Sequence, residues 1–248
     1  MSRNFELLQN LGREPKLFSS APAAAPEEIE RQAPKPFANV FGIAPEVNQL
    51  CYRLFATGAE GIDPRVITFC CVQPTVSEGL ICAQTAMMLA ARVNRSVCVV
   101  DSNPLSSSLN RFFGLGDQSG SAEAATGDSL FSRARRIAGS NLTLIAAGAA
   151  MADSQLARWE SAAFGLRELR SQFDYILING PTVPDRGQSL FLGSLSDGVV
   201  LILEANATRR DTAARVKREM EQANVPVLGA ILNNRTFPIP DALYSKLF

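Results

Sequence analysis

The sequence predicts a doubly wound α/β domain, a mostly parallel sheet with helices on both faces, and three observations carry that prediction. Six short runs rich in Val and Ile recur from residue 66 onward, and they are apolar on both faces, as strands covered by helices on each side must be. Segments with helical periodicity alternate with them, which is the order of a parallel sheet built from crossover connections. The 248 residues are 46% hydrophobic and 19% charged, so the chain can bury a sizeable core.

The predicted strands are VITFCCV (66–72), SVCVVD (96–101), LTLIAAG (142–148), YILING (175–180), GVVLILEA (198–205) and PVLGAIL (226–232). Residues 80–92 are dominated by Ala, Met and Leu and suit a buried helix. A second helix over 154–172 places Leu156, Trp159, Ala163, Leu166 and Leu169 on one stripe. A third, 208–224, carries Ala213, Val216, Met220 and Ala223 on one face, and Pro226 stops it. No internal repeat is visible. Ahead of this domain, taken as residues 46–248, the stretch SSAPAAAPEEIERQAPKPF predicts a flexible tail over residues 1–45. Within that tail Phe5, Leu7, Leu8 and Leu11 give residues 3–12 the spacing of a short amphipathic helix, read either as a frayed terminal turn or as a docking peptide.

Composition excludes several functions. The chain has no histidine, which removes the commonest general base and every Ser-His or Cys-His nucleophile arrangement. Twenty-four Lys plus Arg balance twenty-four Asp plus Glu, so no whole-chain field favours nucleic acid or a membrane surface. The five cysteines, Cys51, Cys70, Cys71, Cys82 and Cys98, form no Cys-x-x-Cys pair; neither a disulfide framework nor a metal site is expected, and a reducing cytoplasm fits best. Cys70, Cys71 and Cys98 fall in predicted strands and read as buried, inert thiols. The longest apolar run, 66–72, is far too short to span a bilayer, so membrane association is expected only through a partner.

In a doubly wound domain the chemistry sits at the carboxyl ends of the strands. The loop after the first strand, Gln73, Pro74, Thr75, Val76, Ser77, Glu78 and Gly79, stands where a phosphate cradle would. A working cradle then needs a Lys for the phosphates and a Ser or Thr for Mg²⁺, but the next residues are Leu80, Ile81 and Cys82.

The succession of CCVQPTVSEGLICAQTAMMLAARVNRSVCVVDSNPLSSSLNRFFGL, LTLIAAG, QFDYILINGP and SDGVVLILEANATRRDTAARVKREMEQANVPVLGAILNNR resembles the cytoplasmic domain of bacterial tyrosine kinases of the polysaccharide-export system. These lie within the wider MinD and ParA group of P-loop ATPases, and the resemblance runs over roughly residues 46–235. It implies a P-loop three-layer sandwich and points to degenerate positions. The family's Gly-Glu-Gly-Lys-Ser/Thr resembles Ser77-Glu78-Gly79-Leu80-Ile81 here. Its pair of Asp resembles Asp101-Ser102-Asn103, with one carboxylate surviving and an amide at Asn103. Its third motif, an Asp before Thr-Pro-Pro, resembles Asn179-Gly180-Pro181-Thr182. Leu at the Lys position removes a phosphate-neutralising charge, Ile81 cannot ligate Mg²⁺, and two metal- or hydroxyl-orienting carboxylates are gone. No catalytic residue and no cofactor are therefore expected. The tyrosine-rich tail of the family is reduced to Tyr244, the other tyrosines being Tyr52 and Tyr175.

Asn233 follows the last strand where the family recognises adenine with an Asn; a turn-forming pair with Asn234 is the other reading. Glu46, Gln49 and Arg53 match in part the family's ring-assembly helix, which implies a homo-oligomer. Arg133, Arg135 and Arg136 read as a solvated helix face or as a contact for an acidic partner or lipid headgroups, and Trp159, Phe112 and Phe113 as packing. The expected function is that of an inactive P-loop scaffold or regulator of exopolysaccharide or capsule export. It would bind a membrane co-polymerase that determines chain length and lie at the inner membrane through that partner. The alternatives are a residual tyrosine kinase or ATPase using ATP and Mg²⁺, for which Lys217 and Lys246 lie too far away to replace the missing Lys, and a positioning protein of the MinD or ParA type.

Overall fold

The computed structural model describes residues 27–29, 45–55, 64–75, 79–103, 108–114, 134–145, 155–183 and 186–235. The strands are β1 (Glu27–Ile29), β2 (Val66–Cys71), β3 (Val97–Asp101), β4 (Ala134–Ile137), β5 (Leu142–Ile145), β6 (Tyr175–Asn179), β7 (Gly198–Glu204) and β8 (Val227–Asn233). The helices are α1 (Pro45–Phe55), α2 (Leu80–Arg92), α3 (Ser108–Phe112), α4 (Gln155–Gln172), α5 (Arg186–Leu195) and α6 (Arg210–Gln222). One eight-stranded sheet runs in the order β1-β4-β5-β3-β6-β2-β7-β8. Every pairing is parallel except β4 with β5.

The six apolar runs each supply a strand, and the sheet centre is sealed because β2, β3, β5 and β6 are buried at every position. One face packs on α1, α2 and α3 through Phe69, Val99, Leu177 and the largely buried α2. The other packs in two patches, Ile176 and Ile178 against Leu166 and Leu169 of α4, and Val199 and Leu201 against Val216 and Met220 of α6. Phe113 is fully buried and meets Phe112 edge-on, with ring centroids 5.1 Å apart. All five cysteines are buried free thiols; burial pushes the Cys51 thiol up to about 11 and the Cys70 thiol up to about 12.

Two strands depart from the sequence expectation. Glu27–Ile29, inside the stretch read as a flexible tail, adds β1 to the sheet edge, with Glu27 in register with Arg135 and Glu28 with Arg136. Arg135 and Arg136 are in β4, not on a helix face; Ala134 and Ile137 at its ends are buried and the two arginines lie between them. Gly139 at φ +73° then turns the chain into β5, with the Ser140 hydroxyl donating to the Ile137 carbonyl at 2.8 Å. Residues 3–12, Arg133 and Tyr244, and the side chain of Trp159, lie outside the described residues.

At the amino-terminal ends of the strands, Asp197 acts as a clasp. Its Oδ2 accepts the Arg65 and Val66 N–H groups at 2.8 and 2.7 Å, and its Oδ1 accepts Arg170 Nη2 at 2.9 Å. This ties the starts of β2 and β7 to α4. Burial alone would raise the Asp197 carboxyl, but the donors from Val66, Arg170 and Arg65 outweigh it and hold the group below the ordinary aspartate range. Such a group adds stability above its unfolded value and loses it as pH falls through the lower folded value. Asp197→Asn is expected to cost about 1–3 kcal/mol near neutrality. In urea melts the gap between wild type and variant should close as pH drops below the ordinary aspartate range; a gap independent of pH would contradict the clasp.

Candidate functional site

The carboxyl ends of β3 and β6 place Asp101 and Asn179 opposite one another in register. Both side chains are almost wholly buried, at 3% and 2% exposure. Asn179 Nδ2 donates to Asp101 Oδ1 at 2.9 Å, and the backbone N–H of Asn103, itself buried, reaches the same oxygen at 3.2 Å. A carboxylate this deep requires donors or a counter-charge, and here an amide and a backbone N–H are among its partners.

Gly79 closes this arrangement from above. Its φ of +80° suits glycine at the entry to α2, and a Cβ there would stand 2.3 Å from Ser108 Oγ and 3.1 Å from Asn179 Nδ2. The end of the loop is therefore packed directly on the Asn179 amide. Beyond it Leu80 is 37% exposed, while Ile81 and Cys82 turn into the core. Burial, followed by the nearby Asp101 carboxylate, pushes the Cys82 thiol well up, so it is no nucleophile. Of the loop before Gly79, Gln73 and Thr75 are half-buried and Pro74 exposed; Val76, Ser77 and Glu78 lie outside the described residues.

A second cluster lies at the ends of β7 and β8. The Glu204 carboxylate accepts Thr75 Oγ1 at 3.1 Å, Asn233 Nδ2 at 3.3 Å and Asn234 Nδ2, while its backbone N–H donates to Thr208 Oγ1 at 2.9 Å. Asn233, the position expected to meet adenine, is thus bound to a carboxylate, and Asn234 beside it adopts φ +53°. Glu204 was not visible as a site residue in the sequence. The signal for it is a lone acid closing the apolar run GVVLILE, in register with Asn233.

The structure brings Asp101, Asn103, Asn179 and Gly79 into one buried group, and Thr75, Glu204 and Asn233 into a second. Glu46, Gln49 and Arg53 form a separate exposed stripe on α1, whose opposite face buries Val47 and Cys51 against the core. Lys217 lies on α6, 3.2 Å from Glu221. Among the described residues no group of three or more His, Cys, Asp or Glu is placed to hold a metal ion, and no helix is long and apolar enough to cross a membrane.

Where the family resemblance would put a cation, a hydroxyl and a second carboxylate, the chain has Leu80, the core-buried Ile81 and the Asn179 amide on Asp101, a set that does not supply the ligands of a Mg²⁺-bound triphosphate. Asn179→Asp would set two buried carboxylates against each other. It is expected to cost about 3–5 kcal/mol at neutral pH, read by urea denaturation in the presence of a chelator, with the deficit shrinking as pH falls and one carboxyl gains a proton. Unchanged stability at neutral pH would show that the amide is not required.

No known protein-family model matches this chain. Tyrosine-protein kinase CpsD of Streptococcus agalactiae is 32% identical to it over 68 residues, 27% of this chain and 30% of that protein. The matched part thus spans less than a third of the relative's length. Among solved structures, the chimerical protein CapA2B2 superposes with TM-score 0.70 at 15% identity, covering 85% of this chain and 94% of that one. The kinase domain of Escherichia coli tyrosine kinase ETK gives 0.65 at 14% identity, covering 86% and 87%. The MinD cell division protein of Aquifex aeolicus gives 0.55 at 17% identity, covering 73% and 72%. The chain is related in sequence to a bacterial tyrosine-protein kinase over about a quarter of its length, and it carries the fold that bacterial tyrosine-kinase domains share with MinD.

Proposed function

We propose that this chain is a catalytically inactive relative of the bacterial tyrosine kinases, a scaffold or regulator in exopolysaccharide or capsule production. In this reading it works by binding a membrane protein that determines polymer chain length. The observation that carries the reading is the buried Asp101–Asn179 hydrogen bond with Gly79 packed on it, because it occupies the place where a metal-bound phosphate would need carboxylates and a cation. The Glu204 carboxylate among Thr75, Asn233 and Asn234 supports it, since it sets a negative charge at the rim of the same loop. An intact sheet and core with a site of this kind is what a protein kept for its surfaces would retain. The exposed α1 stripe of Glu46, Gln49 and Arg53 supplies a surface for self-association.

The test is calorimetric titration of the full chain with ATP and ADP at millimolar concentration with Mg²⁺. A variant carrying Leu80→Lys, Ile81→Thr, Asn103→Asp and Asn179→Asp is titrated alongside. The unmodified chain is expected to give no binding heat, and the restored variant, if folded by circular dichroism, to bind. Binding by the unmodified chain below millimolar nucleotide would overturn the inactive-site reading and favour the residual kinase or ATPase.

A further inference from the structure

The opposite pole of the sheet, where the strands begin, carries a cleft that the loop site does not use. Its volume is about 690 Å³, and it lies between the end of α2 and the β4–β5 turn, with Arg92, Asn94, Arg136 and Asn141 on its walls. A second hollow of about 460 Å³ shares Asn94, Arg136 and Asn141 with it and adds Arg95 and Asp174. Three exposed guanidinium-bearing side chains, Arg92, Arg95 and Arg136, therefore face one continuous depression.

Among the described residues the charge there is not balanced. Asp174 is the one acid on the walls among them, and its Oδ2 is engaged by the Ser96 N–H at 3.0 Å and the Ser96 hydroxyl at 2.8 Å. Those bonds, with lesser help from Arg95 and Arg65, hold its carboxyl below the ordinary range. The backing is fixed: Asn141 Nδ2 donates to the carbonyls of Val93, at 2.8 Å, and Arg95, stapling the turn that bears Arg95 to the start of β5. Arg136 Nε donates to the Ser140 carbonyl at 3.3 Å, which leaves its terminal nitrogens for a ligand. The depression is broadly open to solvent, and planar guanidinium forks match phosphate oxygens in pairs.

We propose that this cleft binds a phosphate-bearing small molecule, with its phosphoryl oxygens held by Arg92, Arg95 and Arg136. The site is independent of the loop at the other pole, and its occupancy does not require the proposed function to hold. The stapled backing fixes the backbone of the turn from which Arg95 projects.

The probe is inorganic pyrophosphate, titrated calorimetrically into the full chain at low ionic strength, with phosphatidylglycerol vesicles in a parallel flotation assay. Wild type is expected to bind pyrophosphate, and Arg92→Gln with Arg136→Gln to weaken binding at least tenfold at an unchanged unfolding temperature. Should that double variant fail to fold, Arg95→Gln, a single exposed change, is expected to weaken binding at least threefold. No binding heat at millimolar pyrophosphate, or affinity untouched by these substitutions, would overturn the site. Vesicle flotation lost in the same variants without any pyrophosphate binding would also overturn it, and would assign the arginines to a membrane surface instead.

Discussion

A single buried hydrogen bond, from the amide of Asn179 to the carboxylate of Asp101, is the constraint on which the rest of the carboxyl-terminal pole depends. A carboxylate at 3% exposure is tolerable only with donors or a cation beside it, because removing it from water costs several kcal/mol. The Asn179 amide and the Asn103 N–H are donors that help meet that demand. The amide also fixes how closely β3 and β6 can carry the loop above them, since Gly79 sits within 3.1 Å of the same amide nitrogen by the position of its missing Cβ. The Asn179 amide and the Asn103 N–H thus both serve Asp101 Oδ1 directly beside Gly79.

The two poles of the sheet differ in charge and in construction. At the carboxyl pole, Glu204 gathers Thr75, Asn233 and Asn234, and the result is an acidic rim held by neutral donors. At the amino pole, Asp197 clasps β2, β7 and α4, and Asn141 braces the turn before β3, so that the arginines around the cleft stand on a stiff base. The proposed anion is drawn to the amino pole, at the end of the sheet opposite the loop that follows its first central strand.

Most of the fold was legible because burial on both faces writes itself into composition, and runs of Val, Ile and Leu mark β2, β3 and β5 to β7; the equally apolar run of β8 lies instead at the sheet edge, with Leu228 and Leu232 exposed, because composition does not record where a strand sits in the sheet order. Strands β1 and β4 were not legible, since Glu27–Ile29 has three residues and Ala134–Ile137 puts two arginines between two buried ends, too short and too charged to show a period. Helical expectation for Arg135 and Arg136 failed for the same reason. In the candidate site, Asp101, Asn103 and Asn179 could be picked out by position, but the direction of the bond between them could not. Glu204 escaped because its significance depends on the register of β7 with β8, a long-range pairing that no local pattern contains.

Phosphotransfer itself is the most direct measurement of the central claim. The purified full chain, incubated with γ-³²P-labelled ATP, Mg²⁺ and a tyrosine-containing polymer, should transfer no more label to the polymer or to itself than a protein-free control. Label transferred above that control, and lost when Asp101 is changed to Asn, would contradict the account, because it would require the carboxylate held by Asn179 to serve a metal-bound phosphate after all.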